Sequence, residues 1–214
     1  TQRTFTDEEA WSGWEDAAVP PENLGDYLRD FDDLMERHGR FGVVYGHFGD
    51  GCLHVRIDFR LTTEQGRREY RAFMEEAADI VVRHGGSLSG EHGDGQARSE
   101  LLRRMYPASI IRAFEEFKRV FDPDDLMNPG VIVRPRPLDS DIRASALPSV
   151  EHHRGAPPER PTSRDLLPLV SEVTMAYPED DGDFAKPLRR CTGIGKCRRQ
   201  EGPGVMCPSY QVTQ

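Results

Sequence analysis

The chain has 214 residues, a formal net charge of -9 and a mean hydropathy of -0.66. This length predicts one domain of about 100–150 residues plus an appendage. The acidic balance, without a dominant basic cluster, argues against nucleic acid and anionic membrane surfaces as partners.

The first predicted elements are a strand and a helix. Trp14 to Val19 is the strand candidate, and Pro20 with Pro21 then opens the helix, as proline does in a first turn. Gly39 ends this helix. Its apolar stripe has helical spacing and comprises Leu24, Tyr27, Leu28, Phe31, Leu34 and Met35.

A glycine-rich stretch, residues 46–54 (Gly-His-Phe-Gly-Asp-Gly-Cys-Leu-His), joins two further predicted strands. Apolar and polar residues alternate from Leu53 to Arg60, which is typical of a half-buried strand. If residues 48–51 form a hairpin loop, His47 and His54 are diagonal neighbours on one face, roughly 7–8 Å apart. Two imidazoles at this separation can converge on one ion. The alternative is a hairpin with two surface histidines.

A second helix and a last strand complete the predicted sheet. Residues 62–65 (Thr-Thr-Glu-Gln) fit a capping box, the helix ends at Gly85 and Gly86, and a short strand toward Glu91 follows. The order strand, helix, strand, strand, helix, strand predicts an α+β fold. We expect a ferredoxin-like split βαβ antiparallel sheet with helices on one face, followed by C-terminal helices and a long irregular tail.

The stretch of residues 89–95 (Ser-Gly-Glu-His-Gly-Asp-Gly) supplies a carboxylate and another imidazole between glycines. Glycine lets the backbone adopt positive φ and approach a ligand closely. Two histidines and one carboxylate form a common three-ligand set that leaves coordination positions open for substrate.

The region after Ala97 is predicted to be helical up to Phe121, with a break at Pro107. Phe121-Asp122-Pro123 ends the last helix, since proline disfavours helix in the residue before it. Residues 126–132 mix apolar anchors with turn residues and predict an ordered turn. From residue 134 to 187 proline is frequent and hydrophobic periodicity disappears, which predicts an extended linker, draped over a surface or disordered.

Three of the four cysteines lie at the C-terminal end, at Cys191, Cys197 and Cys207. Clustered cysteines closed by Cys-Pro are typical of iron–sulfur ligation, although a fourth ligand is missing. The alternative is a flexible tail with free thiols. We expect a fragment of a longer protein, because the chain starts at Thr1 and ends abruptly after a cysteine motif. We expect this protein to be cytoplasmic, with peripheral attachment to a membrane left open, because no signal peptide or membrane-spanning run occurs.

Together these motifs resemble the C-terminal region of the FAD-linked D-2-hydroxy acid dehydrogenases, the D-lactate dehydrogenase and glycolate oxidase flavoprotein type within the vanillyl-alcohol oxidase superfamily. The likeness runs from about Trp14 to Ile132. It is carried by residues 46–54 and 89–95, and by 121–123 with 127–130. The continuation from Cys191 to Tyr210 looks like the start of the iron–sulfur module that is fused to some members.

The resemblance implies roles for individual residues. It implies that His47, His54 and Glu91 are ligands of a divalent metal. His92 is then the catalytic base beside them.

Three further positions follow from the same resemblance. Arg56 occupies a substrate-contact position where many members have Asn, and Asn128 matches a residue near the flavin. Cys52 stands where Asn is frequent, and we interpret it as a buried structural thiol.

The resemblance also implies a domain organisation. Residues 1–133 form the substrate and metal cap, 134–187 the linker, and 188–214 the start of an iron–sulfur module. Family members bind FAD mainly through an upstream domain, and nothing in this chain resembles it. We therefore expect the chain alone to be inactive.

The implied reaction oxidises a D-2-hydroxy acid, such as D-lactate, glycolate or 2-hydroxyglutarate, to the 2-oxo acid. A divalent metal (zinc, manganese or iron) would assist proton abstraction by a neutral imidazole, with hydride transfer to FAD and electron exit through the iron–sulfur module. The expected partners are the small 2-hydroxy acid, the upstream FAD-binding domain, and a downstream iron–sulfur module or electron acceptor. Two alternatives stay open: a non-catalytic electron-transfer or adaptor protein, and a metal-binding module with structural histidines.

Overall fold

The structure is a computed structural model that describes residues 2–3 and 9–142 of the chain. Its sheet has four antiparallel strands in the spatial order β1-β2-β4-β3. The strands are β1 (Gln2–Arg3), β2 (Glu9–Ala18), β3 (Gly42–His47) and β4 (Cys52–Ile57). The predicted first strand is present but begins at Glu9 instead of Trp14.

Five α-helices occur in the described residues. They are α1 (Leu24–Arg37), α2 (Glu64–Arg83), α3 (Gly95–Ser99), α4 (Leu102–Met105) and α5 (Ala108–Phe121). None of these helices has the length and apolarity needed to cross a bilayer.

The core lies between one face of the sheet and the helices α1 and α2. Apolar residues of β4 alternate toward this face, as their period of two predicts. The side chains that are almost fully enclosed include Trp14, Tyr27, Leu34, Leu53, Val55, Ile57, Phe73 and Met74. The opposite face of the sheet is left for polar side chains, and it carries the candidate site.

The α+β class and the ferredoxin-like order are confirmed, but the last predicted strand is reduced to a single bridge. Ala18 and Ser87 pair through two backbone hydrogen bonds of 3.0 and 2.7 Å. A Cβ on Gly86 would lie 2.3 Å from the Ala18 carbonyl oxygen, so glycine permits this close approach. Beyond Ser87 the backbone keeps one hydrogen bond to β2, from Gly90 N to the Asp16 carbonyl oxygen at 2.7 Å, and the amides of Glu91 and His92 then bind the Asp16 side chain.

The start of α2 differs by one residue from the predicted capping box. Thr63, rather than Thr62, is the N-cap, and its hydroxyl accepts a 3.0 Å hydrogen bond from Gly66 N. The third helical position is thus a glycine, which has no side chain to return the bond that Gln65 was expected to make.

The turn after α5 is ordered, as predicted. The buried carboxylate of Asp122 accepts hydrogen bonds from Leu126 N at 2.8 Å and Met127 N at 2.9 Å. The first residues of the predicted linker lie against the domain, since Leu138 is buried and Asp139 binds Arg71. The rest of that linker, from residue 143, lies outside the described residues, as do the predicted cluster cysteines Cys191, Cys197 and Cys207.

Candidate metal centre

The predicted hairpin is present and sets the positions of two histidines. β3 and β4 pair with His47 opposite Cys52, and a 3-10 turn over Phe48–Asp50 joins them. The ring centroids of His47 and His54 lie 6.0 Å apart. The two imidazoles therefore share one face of the hairpin, as the register predicts.

A bulge in β2 brings two acidic residues against the buried histidine of β4. Trp14 pairs with Val55, and the next pair is Ala17 with Leu53, so β2 moves three residues along while β4 moves two. Two residues, Glu15 and Asp16, therefore lie opposite one, His54. Asp16 has φ of 75°, a conformation that Asp adopts more readily than most residues.

The Asp16 side chain is fully buried and organises the loop that carries Glu91 and His92. Its carboxylate accepts hydrogen bonds from Glu91 N at 3.0 Å and His92 N at 2.7 Å. The Ser89 hydroxyl and the Cys52 thiol donate to it as well. Burial alone would raise the pKa of Asp16, but the hydrogen bonds from Ser89, His92, Cys52 and Glu91 lower it overall. The loop is thus held by an ionised buried carboxylate.

The Glu91 carboxylate lies among three imidazoles. Its Oε1 is 3.2 Å from His54 Nε2 and 3.0 Å from His92 Nε2. Its Oε2 is 3.6 Å from His47 Nε2. His92 stacks almost parallel on His54, with centroids 5.2 Å apart. Glu91 and His92 are sequence neighbours whose side chains converge because they lie in a loop and not in a strand.

A second carboxylate supports the other ring nitrogen of His54. Glu15 Oε2 lies 3.3 Å from His54 Nδ1, and the Tyr45 hydroxyl donates to both Glu15 oxygens at 3.3 Å. Asp16 N approaches the same Nδ1 at 3.2 Å. The two contacts select opposite tautomers of a neutral imidazole, because Nδ1 must donate to Glu15 but accept from Asp16 N.

The structure brings together four of the residues singled out from the sequence: His47, His54, Glu91 and His92. Among the described residues, one set of possible ligand atoms that all lie within 4.8 Å of one another comes from Asp16, His54, Glu91 and His92. Asp16 is already engaged by four donors. His47 is not in this set, but its Nε2 lies 3.6 Å from Glu91 Oε2.

The remaining predicted positions lie around or away from this cluster. Arg56 is half-buried, two residues along β4 from His54, and donates from Nη1 to Ser12 Oγ at 2.9 Å. Asn128 lies in a different segment, exposed in the turn after α5, with φ of 50°. Cys52 is buried as predicted, and burial together with the Asp16 carboxylate raises its pKa to about 11.

Sequence reasoning missed three residues of this site: Glu15, Asp16 and Tyr45. These residues belong to no sequence motif, and the bulge that turns Glu15 and Asp16 toward His54 depends on the pairing of β2 with β4. The one available signal is an Asp in a predicted strand, where Asp is disfavoured.

The fold and the site define an α+β domain with a candidate metal centre of imidazoles and carboxylates on its sheet. The chain belongs to the family described as FAD linked oxidases, C-terminal domain, whose model matches residues 1–132.

Several characterised proteins are similar to the chain. It is 30% identical over 200 residues to the D-2-hydroxyglutarate dehydrogenase of Haemophilus influenzae, which covers 94% of this chain and 17% of that protein. The corresponding enzyme of Pseudomonas putida is 32% identical over 200 residues, covering 94% and 18%. The D-lactate dehydrogenase of Archaeoglobus fulgidus is 34% identical over 119 residues, covering 56% and 26%. The chain thus spans a minor part of the length of each relative.

Proposed function

We propose that this chain is the metal and substrate cap of a flavin-dependent dehydrogenase that oxidises a D-2-hydroxy acid to the 2-oxo acid. One observation carries the proposal: in a chain of this family, three imidazoles surround the Glu91 carboxylate within 3.6 Å. Family membership supports FAD as the redox partner. The names of the relatives support a 2-hydroxy acid as substrate.

We assign His47, His54 and Glu91 as the metal ligands. Their nitrogen and oxygen donors suit zinc, manganese or iron(II), so the donor set fits a divalent ion. A divalent ion held there would supply charge that lowers the pKa of the substrate hydroxyl.

The tautomer of His54 links this assignment to Glu15. A metal ligand needs its lone pair on Nε2, so Nδ1 must carry the proton and donate it. Glu15 Oε2, 3.3 Å from Nδ1, is the acceptor, in the carboxylate–histidine arrangement that commonly supports metal ligands. Tyr45 in turn holds Glu15.

We assign His92 as the general base. Its imidazole is exposed, stacks on His54 and keeps Nε2 within 3.0 Å of Glu91. A base needs a free lone pair near the substrate hydroxyl, which an imidazole bound to metal does not have. His92 would therefore take the hydroxyl proton, while the flavin supplies the hydride acceptor.

The surface around α5 supports an FAD-binding domain as partner. Phe117, Val120, Phe121 and Leu126 are between 66% and 78% exposed, which is unusual for large apolar side chains in a folded domain. Asn128, the residue expected near the flavin, lies two residues beyond Leu126. We propose that the upstream FAD domain covers this surface and meets Asn128 at its edge.

The extent of the matches to the two kinds of relative supports two further proposals. One is electron exit through an iron–sulfur module, and the other is D-2-hydroxyglutarate as the preferred substrate type. The match to the Haemophilus influenzae enzyme covers 94% of the chain and so extends into the cysteine-bearing tail. The match to the D-lactate dehydrogenase covers only 56%. We propose Cys191, Cys197 and Cys207 as cluster ligands, with a fourth ligand supplied from elsewhere.

The test uses the longer protein that carries this chain, purified with its flavin. D-2-hydroxyglutarate, D-lactate and glycolate are offered with a dye acceptor, before and after treatment with a chelator. Oxidation of at least one acid, lost on chelation and restored by one divalent metal, supports the proposal. A flavoprotein that binds metal but oxidises no 2-hydroxy acid would instead favour the electron-transfer or metal-binding alternative.

A further inference from the structure

We propose that the free edge of β3 binds a β-strand from the part of the longer protein that lies outside this chain. The added strand extends the sheet beside β3 and fills the groove between this edge and α1 with its side chains. This surface is separate from the one around α5, and the inference does not depend on the chemistry of the metal centre.

The backbone of β3 has unpaired hydrogen-bonding groups along one side. β3 is the last strand in the spatial order β1-β2-β4-β3, so among the described strands only β4 pairs with it. Asp58 N donates to the Phe41 carbonyl at 3.1 Å, and inter-strand bonds alternate along an antiparallel pair. Val43 and Tyr45 therefore bond toward β4, while the N–H and C=O groups of Val44 point away from the sheet. No described residue pairs with these two groups of Val44.

The sequence of β3 does not protect this edge. Exposed edge strands usually carry charged residues, above all Lys, or Pro, which prevent pairing with another strand. β3 reads Gly-Val-Val-Tyr-Gly-His and contains no Lys, no Pro and no acidic residue. Its Val44 is 38% exposed, and Phe41, just before the strand, is 59% exposed. An edge of this composition is typical of a strand that is covered in the complete protein.

A groove of about 860 Å³ lies beside the same edge. Its apolar lining comprises Leu28, Phe31, Met35, Val44 and Val55. The groove follows α1 from Gly25 to Glu36, which is roughly 16 Å at 1.5 Å per residue. About five extended residues span that length. A strand added to β3 therefore fits the groove and places every second side chain in it, the usual mode of peptide binding at a sheet edge.

Two acids on the rim of the groove indicate the charge of the occupant. Asp32 and Glu36 are exposed, line the groove and form no ion pair within the described part of the chain. The two arginines that line it, Arg29 and Arg40, already have acidic partners. The free charge on this rim is therefore negative. We expect the added strand to carry Lys or Arg beside its apolar residues, because complementary charges select the partner.

The same charges argue against a second copy of this chain as the occupant. A two-fold axis at the edge of β3 would bring α1 beside its symmetry mate. Asp32 and Glu36 would then face the same acids of the other copy and repel them. The tail of this chain is also unsuitable, because proline is frequent from residue 134 to 187 and cannot donate to a ladder.

The rest of the longer protein offers far more chain. The match to the Haemophilus influenzae relative covers only 17% of that protein. A strand from the same polypeptide is also held close to β3 by covalent connection, so it needs little affinity of its own to pair.

The experiment measures hydrogen exchange of single amides in the longer protein, by mass spectrometry with fragmentation of the peptides. We expect the Val44 amide to exchange at least about 10²-fold more slowly than an unstructured amide, as the Val43 amide does through its bond to β4. Exchange of Val44 at nearly the unstructured rate, with Val43 protected, would show a free edge and overturn the proposal. Protection of Val44 that disappears on dilution would show a second copy and overturn it as well.

Two matched variants test the chemistry of the partner strand. Asp32→Lys should speed the exchange of Val44 by about three- to tenfold, since it turns an attraction at the rim into a repulsion. Asp33→Lys makes the same change of charge at an exposed acid of α1 that does not line the groove, and should leave the rate unchanged. Val43 is the internal reference, because a variant that disturbs the whole domain speeds its exchange too. Equal rates for Val44 in both variants would contradict a basic strand in the groove.

Discussion

The buried carboxylate of Asp16 should control both the stability of the domain and the geometry of the metal centre. Substitution by Asn keeps the shape and tolerates the positive φ at this position. It nevertheless puts an NH₂ group against one of two backbone donors, Glu91 N or His92 N. One charge-assisted hydrogen bond is lost, and one buried N–H is left without an acceptor.

The cost follows from these two effects. A hydrogen bond to a charged group contributes about 1.5–3 kcal/mol, and an unsatisfied buried donor costs about 1–3 kcal/mol. Because the two overlap, we expect Asp16→Asn to lower the free energy of unfolding by about 2–4 kcal/mol. Loosening the loop that carries Glu91 and His92 should also weaken metal binding by about 10–100-fold, the usual effect of disturbing groups that support metal ligands.

The assay is urea unfolding with metal removed, followed by metal titration of the same preparations. Ser89→Ala is the matched control, because it removes one neutral donor to Asp16 and leaves both backbone donors bonded. It should cost about 1 kcal/mol. If Asp16→Asn changes stability by less than Ser89→Ala does, the carboxylate does not hold the loop and this reasoning fails.

Three further predictions concern other parts of the domain. The buried Trp14 indole N–H donates to the Tyr27 hydroxyl at 2.8 Å, so Tyr27→Phe leaves it without an acceptor. This substitution should lower the free energy of unfolding in urea by about 1–3 kcal/mol, and an unchanged unfolding midpoint would contradict the prediction. The hydrogen bond with His84 lowers the pKa of Asp30 below its ordinary 3.8, so Asp30 stabilises the fold above pH 3.8 and loses that effect as pH falls through its lowered pKa. Asp30→Asn should therefore lower the unfolding midpoint at pH 6 but not at the acid end, and a constant difference would refute the linkage. Cys52, with its pKa raised to about 11, should resist alkylation at pH 8 in the native protein and react after denaturation, as peptide mass spectrometry can measure; rapid native labelling would contradict its burial.

Periodicity and turn chemistry were enough to predict the hairpin and its consequences. Alternation from Leu53 fixed which face is buried, and that register put His47 and His54 together. The helices α1, α2 and α5 followed from apolar spacing and were found where expected. These features are local, so a single stretch of sequence contains all that determines them.

The parts that were missed depend on contacts between distant segments. The bulge at Glu15 and Asp16 exists only because β2 pairs with β4, some forty residues later in the chain. The last strand was predicted to run toward Glu91 after the two glycines that end α2, yet the Asp16 carboxylate binds the amides of Glu91 and His92 that strand pairing would have used. Neither effect leaves a periodic pattern in the sequence.

The central claim is that His47, His54 and Glu91 hold a divalent metal while His92 acts as the base. Metal content, measured by mass spectrometry on the longer protein and its His54→Ala and His92→Ala variants prepared in parallel, tests it most directly. We expect His54→Ala to lose metal and activity together. His92→Ala should keep the metal and lose the chemical step by roughly 10²–10⁴-fold. Equal loss of metal from both variants would contradict the assignment and make His92 a ligand.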